Sequence, residues 1–172
     1  VAVVIAAFFM LLYIWFRFKD IRFAGSAILA LVHDVLCVLT LYVLARISVG
    51  GTFIACMLTI IGYSINDTIV VFDRIRENKK KASARTPLAE TINKSITETL
   101  SRSINTSVTT FIMVFVLAIL GVNSVRQFAI PMIVGIISGC YSSVCVASPL
   151  WYVLSGKGEK KAQKGATYSK KK

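Results

Sequence analysis

Two of the eight acidic residues, Asp34 and Asp67, stand inside long apolar runs rather than in polar loops. An ionised carboxylate in hydrocarbon costs at least ~2.5–3.5 kcal/mol, so each must pair, face a wet cavity or take up a proton. Asp67 lies several residues before the charged end of its run, in the stretch Gly62-Tyr63-Ser64-Ile65-Asn66-Asp67-Thr68-Ile69-Val70-Val71-Phe72-Asp73-Arg74. Asn66 adds an amide beside it, and Arg102 stands at the same boundary, at the entrance to a later apolar run. A nearby Arg favours the ionised carboxylate and burial favours the neutral one. An acid moved between such settings binds and releases a proton, which is the elementary step of proton-coupled transport. The alternative for Asp67 is a buried acid that only hydrogen-bonds a neighbouring helix. His33 and Asp34 divide in the same way, into a packing pair or a second protonatable site.

Other chemistries find no support in the residues. The phosphate-cradling pattern GxxxxGK[ST] is absent, as are a nucleophile–base pair and a metal cluster. The four cysteines (Cys37, Cys56, Cys140, Cys145) all fall in apolar segments without ligand spacing and read as packing residues. We expect no cofactor, no metal and no enzymatic activity.

These groups need a membrane to position them. Hydrophobic residues make up 56% of the 172, well above the roughly 45–50% of soluble domains. The expected fold is all-α and integral to the membrane: a five-helix transmembrane bundle over residues 1–154. The five spans are 1–16, 23–45, 53–72, 104–122 and 127–154. The first is short for a span and opens without Met, as expected of a chain cut near the start of a membrane helix. The second, 23 residues, measures about 34 Å. Between the third and fourth spans, Thr86-Pro87 reads as a helix start. Leu88, Ile92, Ile96, Leu100 and Ile104 then recur every four residues, which predicts an amphipathic helix over 87–101 on the membrane surface. In the last span Gly135 and Gly139 form a GxxxG pattern, with Ser138, Ser142, Ser143 and Ala147 extending a small-residue face for close packing. Residues 155–172 are expected to form a disordered, Gly- and Lys-rich basic tail.

The net charge of +12 is distributed as a topology signal rather than as a nucleic-acid footprint. Lys plus Arg number 3 in residues 17–22, 8 in 73–103 and 7 in the tail, against 1 each in 46–52 and 121–126. The positive-inside rule assigns the first three to the cytoplasm, and five spans alternate accordingly, with the C-terminus cytoplasmic.

GYSINDTIVVFDRIREN (residues 62–78) resembles the signature of the SecF family of the bacterial Sec protein-export machinery, within the proton-driven transporters of resistance-nodulation-division (RND) type. Two further blocks support the resemblance: LVHDV (31–35) and Thr99-Leu100-Ser101-Arg102-Ser103-Ile104 with the hydroxyl run after it. Together with the order of spans they cover about residues 1–154. The resemblance implies an RND/SecDF-type bundle in the bacterial cytoplasmic membrane. SecD, the SecY channel complex, a translocating preprotein and membrane lipids are the implied partners, and nucleic acid is not among them. It implies that the proton-motive force helps to draw exported chains across, with Asp67 as the coupling acid and Arg102 as the basic residue near it. It further implies a first membrane helix and an extracytoplasmic domain ahead of residue 1. Two alternatives are half of an RND-type small-molecule transporter and a membrane scaffold that couples to nothing. The former should carry a large extracytoplasmic insertion, and no loop here is long enough.

Overall fold

The computed structural model describes residues 5, 8, 9, 12, 16, 21–83 and 86–155. Among these residues the protein is helical, in the order α1 (Ile21–Leu44), α2 (Gly51–Lys81), α3 (Leu88–Leu120) and α4 (Asn123–Ser142). Helix α4 runs on through one π turn, Ser143–Ala147, and remains helical to Ser155. All four are long and apolar enough to cross a membrane. That is one fewer than the five expected spans. Most of the first, residues 1–16, lies outside the described residues, and its described members Ile5, Phe8, Phe9, Leu12 and Phe16 are helical and exposed. The predicted tail lies outside them too, from residue 156 onward.

Helix boundaries follow local chemistry. Helix α1 ends in a Schellman turn, in which the Ile47 N–H bonds the Tyr42 carbonyl and the Arg46 N–H bonds the Val43 carbonyl. Arg46 adopts the left-handed backbone this turn requires, at φ 50°. Helix α3 opens at Leu88, not on a Thr86 cap: the Pro87 carbonyl accepts the Glu90 and Thr91 N–H groups, and no side chain caps the helix. The separate surface helix predicted over 87–101 is joined to the following span in this one helix. No Gly or Pro interrupts residues 88–120, so nothing stops the first helix before the second begins.

The face that α3 buries also differs from the apolar row that suggested it. Ile92 is buried, but Leu100 and Ile104 are exposed, whereas Thr91, Ser95, Thr99, Ser103 and Ser107 are buried. Helix α3 therefore meets α2 through hydroxyls. The contacts run antiparallel along the pair: Asn78 to Ser95, Arg74 to Glu98, Asp67 to Ser103 and Tyr63 to Ser107.

Two apolar clusters bracket a polar layer. The first includes Phe23, Ala27, Phe72, Ile75, Ala147 and Trp151, and the second includes Val38, Tyr42, Cys56, Ile60, Val114 and Ile136. Between them along the chain lie Asp34 on α1, Ser64 on α2, Ser103 and Ser107 on α3, and Ser138, Ser142 and Ser143 on α4. In the first cluster the Phe23 ring stacks on Trp151 at 4.5 Å and meets Phe72 edge-on at 5.0 Å. Lys79 stands 5.4 Å above the Trp151 ring, so the basic α2–α3 connection and the far end of the last helix share one end of the bundle.

Candidate functional site

The polar layer is built by close approach of α4 to α2. A Cβ on Gly135 would sit 2.5 Å from the Ile60 side chain, and one on Gly139 would sit 3.2 Å from the Ser64 Cβ. The GxxxG pair therefore packs directly on Ile60 and Ser64, as small residues between membrane helices do. This brings Ser64 level with Ser138 and Ser142, which lie four residues apart and hence on one face of α4.

All three serines converge on Asp34. Its Oδ2 accepts the hydroxyls of Ser64 at 2.5 Å and Ser142 at 2.6 Å, and its Oδ1 accepts that of Ser138 at 2.7 Å. The His33 ring nitrogen Nδ1 lies 3.1 Å from the same Oδ1. A carboxylate offers about four lone-pair sites; three serine hydroxyls fill three of them here, and the His33 ring stands at the fourth. Asp34 is fully buried and ties α1, α2 and α4 together. His33 is partly exposed and bonds within its own helix, so the interhelical partners of this pair are serines.

Asp67 sits one turn along α2 from Ser64 and is only partly buried. Its Oδ1 accepts the Ser103 hydroxyl of α3 at 2.6 Å, and its Oδ2 accepts the Ser143 hydroxyl of α4. Two donors leave it with acceptor capacity that Asp34 lacks. Among the described residues no ion pair joins Asp67 to Arg102. Arg102 is exposed and lines a cleft of about 450 Å³ with Val70, Asp73, Arg74, Glu98 and Thr99. The cleft reaches Val70, one turn from Asp67 on α2, and Arg102, next to Ser103 on α3. Asp67 itself is not among the residues that line it. In its wall Glu98 accepts Arg74 Nε at 2.6 Å and Asn78 Nδ2 at 2.7 Å. Asn66 is exposed on the outer side of α2, with Asn105, Thr106 and Thr109 of α3 exposed as well.

The structure thus brings Asp67 and Asp34 into neighbouring parts of one layer and leaves Asn66 and Arg102 on the outside. Sequence reasoning treated Ser64, Ser138, Ser142 and Ser143 as small packing residues and missed them as carboxylate donors. A signal was present, since serines four apart in a span that also faces acids form a donor row.

A multi-helix membrane bundle with two carboxylates inside it, each held by hydroxyls from other helices, defines the class: a polytopic membrane protein with an intramembrane acid site. Residues 1–157 match the family described as protein export membrane protein SecD/SecF, C-terminal, and the chain belongs to that family. It is 46% identical over 166 residues to the protein translocase subunit SecF of Alicyclobacillus acidocaldarius, covering 95% of this chain and 54% of that protein. It is 43% identical over 162 residues to the protein translocase subunit SecDF of Bacillus subtilis, covering 93% of this chain and 22% of that one. A crystal structure of SecDF in a super-membrane-facing form superposes with a TM-score of 0.80 at 46% identity, over 91% of this chain and 21% of that one. The chain spans about half the length of the SecF relatives and about a fifth of SecDF.

Proposed function

We propose that this chain is the membrane part of a SecF subunit that, with SecD, uses the proton-motive force to promote protein export across the bacterial cytoplasmic membrane beside the SecY channel. It acts as a transport subunit rather than an enzyme. Asp67 is the proton carrier, Arg102 and Asn66 serve it from the outer face, and Asp34 is the second carboxylate of the site. The basic end of the bundle, with the C-terminus, faces the cytoplasm.

The observation that carries this reading is the contrast between the two acids. Asp34 is fully buried among three serine hydroxyls and the His33 ring, whereas Asp67 is partly exposed and holds two hydroxyls. A carboxylate with free acceptor sites and a route to water can gain and lose a proton. The exposed polar residues Asn66, Asn105 and Thr109 fit a face covered by another membrane subunit better than one facing lipid, and the SecDF relatives carry SecD in the same chain.

The test is gradient-stimulated export by full-length protein carrying Asp67→Asn, which keeps size and most hydrogen bonding but removes titration. Normal assembly with loss of stimulation supports the coupling role. Unchanged export refutes it and makes the chain a scaffold at this position.

A further inference from the structure

We infer that Ser143 is a positioning residue for Asp67, set by the π turn that begins at it, and that α4 thereby links the two carboxylates through adjacent residues. This rests on the reading of Asp67 as the proton carrier.

Ser142 donates to Asp34 at 2.6 Å, and Ser143, the next residue, donates to Asp67. Successive side chains on an α-helix point about 100° apart, so one helix edge reaches both acids only if it lies between them. On α2 the two acids are reached one turn apart, since Ser64 bonds Asp34 and Asp67 follows three residues later, whereas α4 reaches both from successive residues.

The π turn, Ser143–Ala147, starts at this point. Such turns are rare, bond less favourably than α-helix and recur at functional sites. Here the Ser148 hydroxyl also reaches the Ser143 carbonyl, at 3.3 Å, which holds the first residue of the turn by its backbone. Ala147, the last residue of the turn, and Trp151 beyond it are fully buried, with Trp151 stacked on Phe23. Removing the inserted residue would rotate everything after it by about 100°, so Ser143 could not face Asp67 while Trp151 faced Phe23. The turn reconciles the two contacts. When Asp67 takes a proton, its bond to Ser143 loses the charge that strengthens it, while Ser142 stays on Asp34. The helix is then held on one side of this junction and released on the other.

The test uses the full-length protein assembled with SecD in membranes. Ser143→Ala should lower gradient-dependent export about tenfold, the scale of losing a hydrogen bond to a charged group, while export driven by ATP alone is unchanged. Ser143→Thr, which keeps the hydroxyl, should restore most of it, and Ser143→Ala should add nothing to Asp67→Asn. Infrared difference spectra, with the Asp67 band assigned through Asp67→Asn, should show that band moved in Ser143→Ala and restored in Ser143→Thr. Full activity in Ser143→Ala, or an unmoved Asp67 band, overturns the proposal. Should Asp67→Asn leave export intact, the coupling reading falls alone, and the infrared band still decides whether Ser143 holds this carboxylate.

Discussion

The Ser64 hydroxyl on α2 lies 2.5 Å from the Asp34 carboxylate on α1, and the same serine is the surface on which Gly139 of α4 packs. One residue thus joins the close approach of two helices to the hydrogen bonding of a buried carboxyl group on a third. Polar satisfaction and packing are coupled here, and both can be perturbed one residue at a time.

Asp34→Ala removes the acceptor for Ser64, Ser138 and Ser142 at once. Interhelical hydrogen bonds in membranes average about 0.6 kcal/mol, so three lost together should destabilise the bundle by about 2 kcal/mol. Asp34→Asn keeps one acceptor oxygen and should cost less than half of that, because hydroxyl rotors can reorient. Thermal or denaturant unfolding in detergent, run on both variants, measures the difference.

Gly135→Ala should destabilise by about 1–3 kcal/mol, since its methyl would overlap the Ile60 side chain. Ile60→Ala, paired with it, should recover part of the loss. A double-mutant cycle on unfolding reads the coupling, and strict additivity would mean that the two helices do not meet at this point.

At the charged end, Asn78 is buried and bonds both Ser95 and Glu98, whereas the Arg74–Glu98 pair is solvent-facing. Asn78→Ala should therefore cost about 1–2 kcal/mol. Arg74→Ala should cost much less than Asn78→Ala, and that cost should shrink in high salt. Unfolding midpoints at low and high ionic strength separate the two.

Asn66 and Arg102 are exposed, so Asn66→Ala and Arg102→Ala should leave stability within about 0.5 kcal/mol. Under the proposed function each should still lower gradient-stimulated export several-fold. Export assays run beside unfolding curves check this, and a loss of activity matched by a loss of stability would argue for a structural role instead.

Arg46→Gly should stabilise the α1 terminus by about 0.5–1 kcal/mol, because glycine adopts the left-handed turn without the Cβ penalty. Comparative unfolding of the two forms measures it.

The membrane-spanning character, the apolar spans within α1 to α4 and the presence of two acids in apolar surroundings were legible in the sequence, whereas the fusion of the predicted surface helix with the following span into α3 was not. The first three are each a property of local composition and of the 3.6-residue period. GxxxG and the serine-rich face announced close packing for the same reason. Tertiary structure alone decided what those small residues touch. The row Leu88, Ile92, Ile96, Leu100 and Ile104 suggested a surface helix, yet a four-residue step drifts about 40° per turn around an α-helix. The row Thr91, Ser95, Thr99, Ser103 and Ser107 has the same step, so spacing cannot choose between the two; the buried face is the one whose Ser95, Ser103 and Ser107 bond α2. The same holds for the acids. Hydropathy marks Asp34 and Asp67 alike as costly, but only the assembled layer surrounds one with three serine hydroxyls and the His33 ring and leaves the other with two hydroxyls and partial exposure. Donors 30 to 108 residues away from Asp34 along the chain become its partners only when helices pack, and no local pattern encodes that meeting.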